Sequence, residues 1–380
     1  MIEFIKYDEK LWGIVMVTMQ TMERKKIAFY QEVLFHDAIM IPILREVEEK
    51  FDCLLSNNIE EIIDYDPAAV FLASKCNKRL RRSLPNAYFI WTRHGFSSKN
   101  WAWRSIRVCD IACVSSEWVK QEFIRRGHLP KLGFWVTGYP PMDSFYRNMK
   151  TDVIPEKGKT ILYAPTFDEN LSAFPVIGTS WIQQVLQEIP EIEIFVKLHP
   201  HTVDHHPRWI DEIDDISRGN PQMTVLDPQS DIYKIMHRAD ILISDVSSVI
   251  FFFLALNRPI ILVSNQNRFK EKKYDPQGPE SCWRDLGIEV YHPEEILPTL
   301  KRCMADPTIK QEERQQYRER VFGDKFDGLS SRRIAAKLYE LLYDPQDQSL
   351  EIKQMKKRKT RYASFGQAWI KLRAAIRGQA

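Results

Sequence analysis

Three short segments carry side chains that could move protons or hold an anion. The first is WTRHG at residues 91–95, where His94 follows a predicted strand and Gly95 permits a tight turn or a close approach to a ligand. Lys99 follows four residues later. A histidine at a strand end suits general acid or base catalysis, and His94 would face a second histidine, His199, across a cleft. A half-buried structural histidine is the alternative, and position alone leaves both open.

The second segment is KLHPH at residues 197–201. Lys197 ends a predicted strand and His199 follows it, where ligands of parallel sheets usually lie. His199 is therefore a candidate proton donor or phosphate ligand. More histidines follow, but their spacing matches no usual metal site, so we expect a polar surface loop and no metal there: His201, His205 and His206.

The third segment is ADILISDVSSVIFFFLALNRPIILV at residues 239–263. A buried strand is predicted to end at Asp245, and Ser247 and Ser248 then begin an apolar helix predicted to end at Leu256. Free N–H groups and the helix dipole favour an anion there, and the serine hydroxyls add donors. Ordinary N-capping by serine explains the same residues. Asp245 either serves this phosphate site or caps a turn.

Strands and helices alternate along the chain, which predicts parallel sheets covered by helices. Strands are predicted at 26–34, 69–72, 88–91, 110–114, 134–137, 160–164, 192–197, 223–226, 241–244 and 259–263. Helices are predicted at 36–50, 116–126, 181–188, 232–237, 248–256, 314–321 and 331–342. A polar linker at about 148–159 separates two Rossmann-like, doubly wound domains, 1–150 and 151–345, that face each other across a cleft. Residues 346–380 form a basic tail.

Composition excludes several classes of protein. The 380 residues are 44% hydrophobic and 28% charged, which excludes disorder as the main state, and a net charge of +3 is too small to imply nucleic acid as a partner. There are 14 glycines and no G-x-G-x-x-G motif. The 6 cysteines include no C-x-x-C pair, which indicates a reducing compartment without structural zinc. We expect neither a transmembrane helix nor a signal peptide.

The last 30 residues, 351–380, carry nine Lys or Arg and one Glu. Within them, four apolar side chains share one face of a predicted helix: Phe365, Trp369, Leu372 and Ile376. A helix of this kind lies on an anionic membrane surface. A solvated tail and a helix packed back on the N-terminal domain are the alternatives.

Six segments in one order carry a resemblance. They are HGFSSK at 94–99, TGYPPMD at 137–143, ILYAPTFDE at 161–169, KLHPH at 197–201, SDIYKIMHRADILISDVSSV at 230–249, and FDGLSSRR at 326–333. Together they resemble the CDP-glycerol glycerophosphotransferase family of teichoic acid and capsule synthesis. Each segment is weak by itself, and the shared order over residues 94–333 gives the match its specificity.

The resemblance implies a GT-B fold that binds the acceptor in the first domain and a CDP-linked donor in the second. An acceptor hydroxyl, lipid-linked or polymeric, would attack the β-phosphate of CDP-glycerol, and CMP would leave. His94 is then similar to the proposed base, and His199 to a second essential histidine near the phosphates. The donor-phosphate set is Ser247, Ser248, Asp245, Thr166 and Lys197. The acceptor or cleft set is Gly95, Lys99 and Asp143. The implied location is the cytoplasmic face of the plasma membrane, with no cofactor.

Two departures from the family pattern keep other functions open. Val246 stands where the family usually has Tyr, and Phe252 where it usually has an acidic residue that can hold the ribose; Glu280 is a candidate substitute. The alternatives are a sugar-nucleotide glycosyltransferase, a relative of the UDP-sugar 2-epimerases, and an inactive family member that binds polymer. The epimerase ranks lower, because its Ser-Gly-Gly turn and acidic pair are not found after this strand.

Overall fold

The computed structural model describes residues 23–93, 105–151, 159–272, 274–343 and 350–362. Within these ranges twelve strands form two six-stranded sheets, and every pairing is parallel. The strands are short and nearly all apolar, as expected when helices cover both faces of a parallel sheet. The predicted α/β architecture with two doubly wound sheets is confirmed.

The first sheet has the strand order β2-β1-β3-β4-β5-β6. Its strands are β1 Lys26–Tyr30, β2 Asp52–Ser56, β3 Ala69–Leu72, β4 Tyr88–Trp91, β5 Ile111–Val114 and β6 Gly133–Val136. Its helices are α1 Asp37–Val47, α2 Ile59–Tyr65, α3 Lys78–Ser83, α4 Glu117–Arg125 and α5 Pro141–Thr151.

The second sheet has the order β12-β11-β10-β7-β8-β9. Its strands are β7 Thr160–Tyr163, β8 Glu193–Val196, β9 Met223–Val225, β10 Ile241–Ser244, β11 Ile260–Val263 and β12 Ile288–Val290. The helices between and after them are α6 Phe174–Ile177, α7 Ser180–Glu188, α8 Thr202–His205, α9 Pro207–Ser217, α10 Val249–Phe253, α11 Pro279–Cys282, α12 Ile296–Ala305, α13 Gln311–Phe322 and α14 Ser330–Leu342.

Each sheet reverses its winding direction once near its middle. The reversal lies between β1 and β3 in the first sheet and between β10 and β7 in the second. Ligands of open α/β sheets bind outside the carboxyl ends of the strands at such a reversal. The topology therefore directs attention to the segments that follow β1, β3, β7 and β10.

The last helices return to the first sheet. Helix α14 buries Ile334 and Leu338 in the same core as β1, β3 and β5. A further helix over residues 350–362 buries Ile352 and Met355 there, and Glu351 pairs with Lys337 of α14 at 2.6 Å. Helix α14 and the helix over 350–362 therefore pack on the first sheet, although both lie beyond the domain boundary predicted at residue 150 and the second also lies beyond the one at residue 345. The two boundaries themselves remain a prediction.

Two predicted helices differ from the structure. Residues 232–237 form two 3-10 turns, Ile232–Lys234 and Met236–Arg238, because Asp231 caps a single turn. The helix predicted over 248–256 is α10 followed by a 3-10 turn, ending where Asn257 adopts a left-handed conformation with φ of 52°. No helix in the described part of the chain is long and apolar enough to span a bilayer.

Candidate active site in the cleft between the sheets

A cavity of about 710 Å³ lies where the carboxyl ends of the two sheets meet. From the second sheet, its walls are the segments after β7, β8 and β10 and the loop 229–234. From the first sheet, they are Leu34, Phe35, one side of α1, and the residues that follow β3 and β4. Four residues of the predicted donor-phosphate set line this one cavity: Thr166, Lys197, Ser247 and Ser248. His199 lines it too.

The two serines lie at the start of α10. The Ser247 hydroxyl accepts a long bond of 3.4 Å from the Val249 N–H, and the Ser248 side chain makes no capping bond. The ordinary N-cap explanation therefore does not account for Ser248. Because α10 has five residues, its dipole is weaker than that of the longer helix predicted from the sequence. The serine hydroxyls themselves are the stronger candidates for contact with an anion.

His199 lies among aromatic rings. Its Nδ1 accepts a hydrogen bond from the His201 N–H at 3.2 Å, so in the neutral ring the proton is on Nε2, which can donate to a ligand. The Phe167 ring lies 4.7 Å from the His199 ring and 5.0 Å from the His201 ring. On the opposite wall, Phe35 contacts the His201 ring edge-on at 6.0 Å. Aromatic rings from both sheets therefore meet at this part of the cavity wall.

Lys197 is buried at the edge of the cavity, with 5% of its surface exposed. Its ammonium donates to the backbone oxygens of Leu198 at 3.2 Å and Pro228 at 2.7 Å. Burial lowers the pKa of Lys197 to about 8, although the carboxylates of Asp227 and Asp231 act in the opposite direction. Lys197 therefore holds the 227–231 loop against β8, and its ammonium has a third N–H for a ligand.

Asp245 has a different place from the one expected. It is fully buried and does not line the cavity. Its Oδ2 accepts from the Thr166 N–H and the Ala173 N–H, both at 2.8 Å, and its backbone oxygen accepts from Arg284 at 2.8 Å. The carboxylate thus holds the loop after β7, which presents Thr166 to the cavity. The alternative that Asp245 caps a turn describes these contacts better than direct phosphate binding.

Asp143 also has a structural partner rather than a place on the cavity wall. Its two carboxylate oxygens accept from the Ser330 N–H at 2.8 Å and the Ser331 N–H at 2.7 Å, at the start of α14. Gly138 lies so close that a Cβ there would be 2.3 Å from the Ser330 hydroxyl. Two of the six recognised segments, 137–143 and 326–333, therefore form a joint between the first sheet and α14, and none of their residues lines the cavity.

Phe252, in the position expected to be acidic, joins a cluster of three aromatic rings. It stacks on Tyr139 with centroids 4.8 Å apart and planes 3° from parallel, and it meets Tyr233 edge-on at 5.2 Å. The hydroxyls of the two tyrosines lie 3.2 Å apart. Val246 and Phe252 both line the cavity, so apolar groups occupy this part of its wall. Glu280, the suggested substitute, is buried and is not among the lining residues.

Sequence reasoning missed several lining residues, of which Arg93 is the most notable. It lies in the segment singled out for His94, directly before that histidine. Arg93 is 9% exposed and lines the cavity from the first sheet. His94, Gly95 and Lys99 lie outside the described residues, so their roles remain predictions. In the described part of the chain, no three His, Cys, Asp or Glu side chains form a group that could hold a metal.

The profile of one family, CDP-glycerol:poly(glycerophosphate) glycerophosphotransferase, matches residues 87–340 of the chain. A curated relative is a teichoic acid glycerol-phosphate primase from Bacillus subtilis (strain 168), 31% identical over 142 residues that make up 36% of this chain. The matched stretch covers 34% of the length of that primase, about a third.

Solved structures share the fold at low identity. The wall teichoic acid polymerase TagF, in a histidine-to-asparagine variant soaked with CDPG, aligns with a TM-score of 0.62 and 16% identity over 85% of this chain and 90% of that one. A putative UDP-N-acetylglucosamine 2-epimerase from Listeria monocytogenes aligns with a TM-score of 0.58 and 12% identity over 86% and 100%. These likenesses confirm the two-sheet GT-B architecture.

Proposed function

Because the chain belongs to the CDP-glycerol:poly(glycerophosphate) glycerophosphotransferase family, we propose that it transfers glycerol phosphate from CDP-glycerol to an acceptor hydroxyl. CMP is the second product. The observation that carries the proposal is the convergence of Ser247, Ser248, Lys197 and His199 on one cavity at the winding reversal of the second sheet. Residues of the first sheet face them across the same cavity.

The chemistry needs positioning and charge stabilisation more than covalent assistance. The acceptor oxygen forms a bond to the β-phosphorus, and the bond from that phosphorus to the bridging oxygen breaks, so CMP leaves with the electron pair. The acceptor proton goes to His94, the proposed base. The hydroxyls of Ser247 and Ser248 and the Nε2–H of His199 donate to the phosphate oxygens, which stabilises the charge that develops on them.

The acceptor is proposed to be lipid-linked. A curated relative is named a glycerol-phosphate primase, and the fold neighbour TagF is a wall teichoic acid polymerase. Among the described residues, the acceptor side of the cavity is a largely apolar wall that also carries one carboxylate and one exposed cation: Leu34, Phe35, Asp37, Ala38, Ile41, Pro42 and Arg45. The described part of this wall, which carries few cations, suits a short acceptor better than a long polyanionic chain.

Attachment to an anionic membrane surface is part of the proposal. On the helix over 350–362, Lys353, Lys357 and Arg361 are exposed and spaced by four residues, so they share one face. Ile352 and Met355 on the other side are buried in the first sheet's core. The helix therefore presents cations outward, and each contributes about 1 kcal/mol near an anionic surface. The stripe from Phe365 to Ile376 lies outside the described residues.

A transfer assay with CDP-glycerol labelled in the glycerol tests the proposal. The enzyme is incubated with this donor and a lipid-linked saccharide in detergent, and label is counted in the lipid extract beside CMP in the aqueous phase. We expect equal amounts of both products, and a loss of both by about 10²–10⁴-fold in His199→Ala if the ring acts in proton or phosphate chemistry. CMP without labelled lipid would mean hydrolysis, and no CMP from any preparation would refute the proposed activity.

A further inference from the structure

Arg93 is a buried cation to which the proposed reaction has so far given no role. It follows β4 by two residues and lines the cavity from the first sheet. Four cationic side chains of the described residues line this cavity: Arg45, Arg93, Lys197 and Lys234. Arg45 and Lys234 are exposed to solvent, and the Lys197 ammonium already bonds two backbone oxygens. Arg93 is therefore the buried cation that the first sheet contributes.

The backbone at Arg93 is held in a costly conformation. Its φ is 45°, in the left-handed region that residues with a side chain rarely adopt. Such a conformation is costly and persists where its surroundings impose it, often at a functional site. At the end of a strand, this turn gives the guanidinium an orientation that continued extended backbone would not give.

The surroundings of Arg93 keep it charged. The guanidinium lies 6.0 Å from the Trp91 ring centre and 5.9 Å from that of Phe123, both within the range of cation–π attraction. Burial lowers the pKa of Arg93 to about 10, and the carboxylate of Glu280 and the Tyr139 side chain oppose that change. The side chain therefore stays protonated at neutral pH in a poorly hydrated place, where a cation acts strongly on an anion.

A chain of contacts connects Arg93 with the serines of the second sheet. Arg93, Tyr139 and Phe252 together line a smaller cavity, which shares Arg93 and Phe252 with the first. Tyr139 stacks on Phe252. Phe252 and Ser248 are four residues apart, so they lie on the same side of the turn that begins α10. Arg93 and Ser248 thus face the same cavity from opposite sheets.

From this geometry we infer that Arg93 binds the diphosphate of the nucleotide donor, opposite the hydroxyls of Ser247 and Ser248. The inference rests on the proposed function and adds a phosphate-binding residue contributed by the acceptor-side sheet. A planar guanidinium matches two phosphate oxygens at once, which an ammonium does not. The same residue would link donor binding to the position of the two sheets, since its guanidinium and the serines lie on different sheets.

The test compares binding of CDP, inorganic pyrophosphate and cytidine to the full chain by calorimetry. Arg93→Gln should lower the affinity for CDP and for pyrophosphate by about 10- to 100-fold, the usual effect of losing hydrogen bonds to a charged group. The affinity for cytidine should change by less than about twofold. Arg93→Lys should fall between, because it keeps the charge and loses the paired donors. Arg82→Gln, an exposed arginine of α3, is the matched control and should bind like wild type.

A merely structural Arg93 gives a different result. If it serves only to neutralise Glu280, then Arg93→Gln and Glu280→Gln will lower the unfolding temperature and leave CDP affinity unchanged, which overturns the inference. Equal losses of affinity for CDP and for cytidine in Arg93→Gln would also overturn the inference, because they would indicate a change in the shape of the pocket. A wild-type chain that binds neither CDP nor pyrophosphate also refutes it. CMP release from CDP-glycerol, measured on the same preparations, judges the proposed function separately.

Discussion

Replacing Asp143 should damage folding rather than catalysis. Each carboxylate oxygen accepts one N–H at the start of α14, at 2.8 and 2.7 Å, and Asp143 is 2% exposed. Hydrogen bonds to charged groups contribute about 1.5–3 kcal/mol each, so Asp143→Ala should lower the free energy of unfolding by about 3–6 kcal/mol. That is a large part of the usual total of about 5–15 kcal/mol.

The assay is urea unfolding followed by tryptophan fluorescence, with turnover per folded molecule measured at low urea. Asp143→Asn should lose about half as much stability, because the amide keeps one acceptor oxygen and turns a donor toward the other N–H. Asp324→Ala is the control, since its exposed carboxylate pairs with Lys325 at the surface and such pairs contribute about 0–1 kcal/mol. Unchanged unfolding together with lost turnover in Asp143→Ala would refute this reasoning and restore Asp143 to the cleft.

Three further predictions follow from the cavity and the basic helix. The double change of Ser247 and Ser248 to Ala should weaken CDP binding by about 1.5–3 kcal/mol in calorimetry, and a crystal soak with nucleotide elsewhere would contradict the placement. Because burial holds the pKa of Lys197 at about 8, its ammonium loses its proton as the pH rises through that value. The affinity for CDP should therefore fall between about pH 7 and 9. The variant Lys197→Arg stays charged over this range and should show no such fall. Changing Lys353, Lys357 and Arg361 to Gln should weaken salt-sensitive co-sedimentation with anionic vesicles, without exposing the core that a deletion of the helix would uncover. Equal binding by the wild-type chain and the triple variant would disprove a role for this face.

The sequence predicted most of the strands and the cavity-lining segments, although the strand predicted over 26–34 ends at Tyr30 and Leu34–His36 form a 3-10 turn. Apolar runs such as 69–72 and 241–244 match strand bounds because a parallel strand covered on both faces must be apolar along its length. The segments after β7, β8 and β10 then meet because carboxyl ends of parallel strands share one edge. Short elements with mixed polarity, such as β2 and α3, have weaker periodicity and were not predicted.

Individual roles were harder to predict than positions. Asp143 and Asp245 follow strand ends just as cavity residues do, but their partners are backbone N–H groups that come from distant positions in the chain. Nothing local in the sequence distinguishes a carboxylate that faces a ligand from one that caps a helix. Arg93 was overlooked because its left-handed backbone and its burial between two sheets depend on tertiary packing.

The most direct measurement of the central claim is nucleotide release from a panel of donors in the presence of a lipid-linked acceptor. We expect CMP from CDP-glycerol, dependent on the acceptor and lost in His199→Ala, and no UDP from UDP-N-acetylglucosamine. Turnover or epimerisation of the UDP-sugar while CDP-glycerol stays intact would contradict the account and assign the cleft to sugar-nucleotide chemistry.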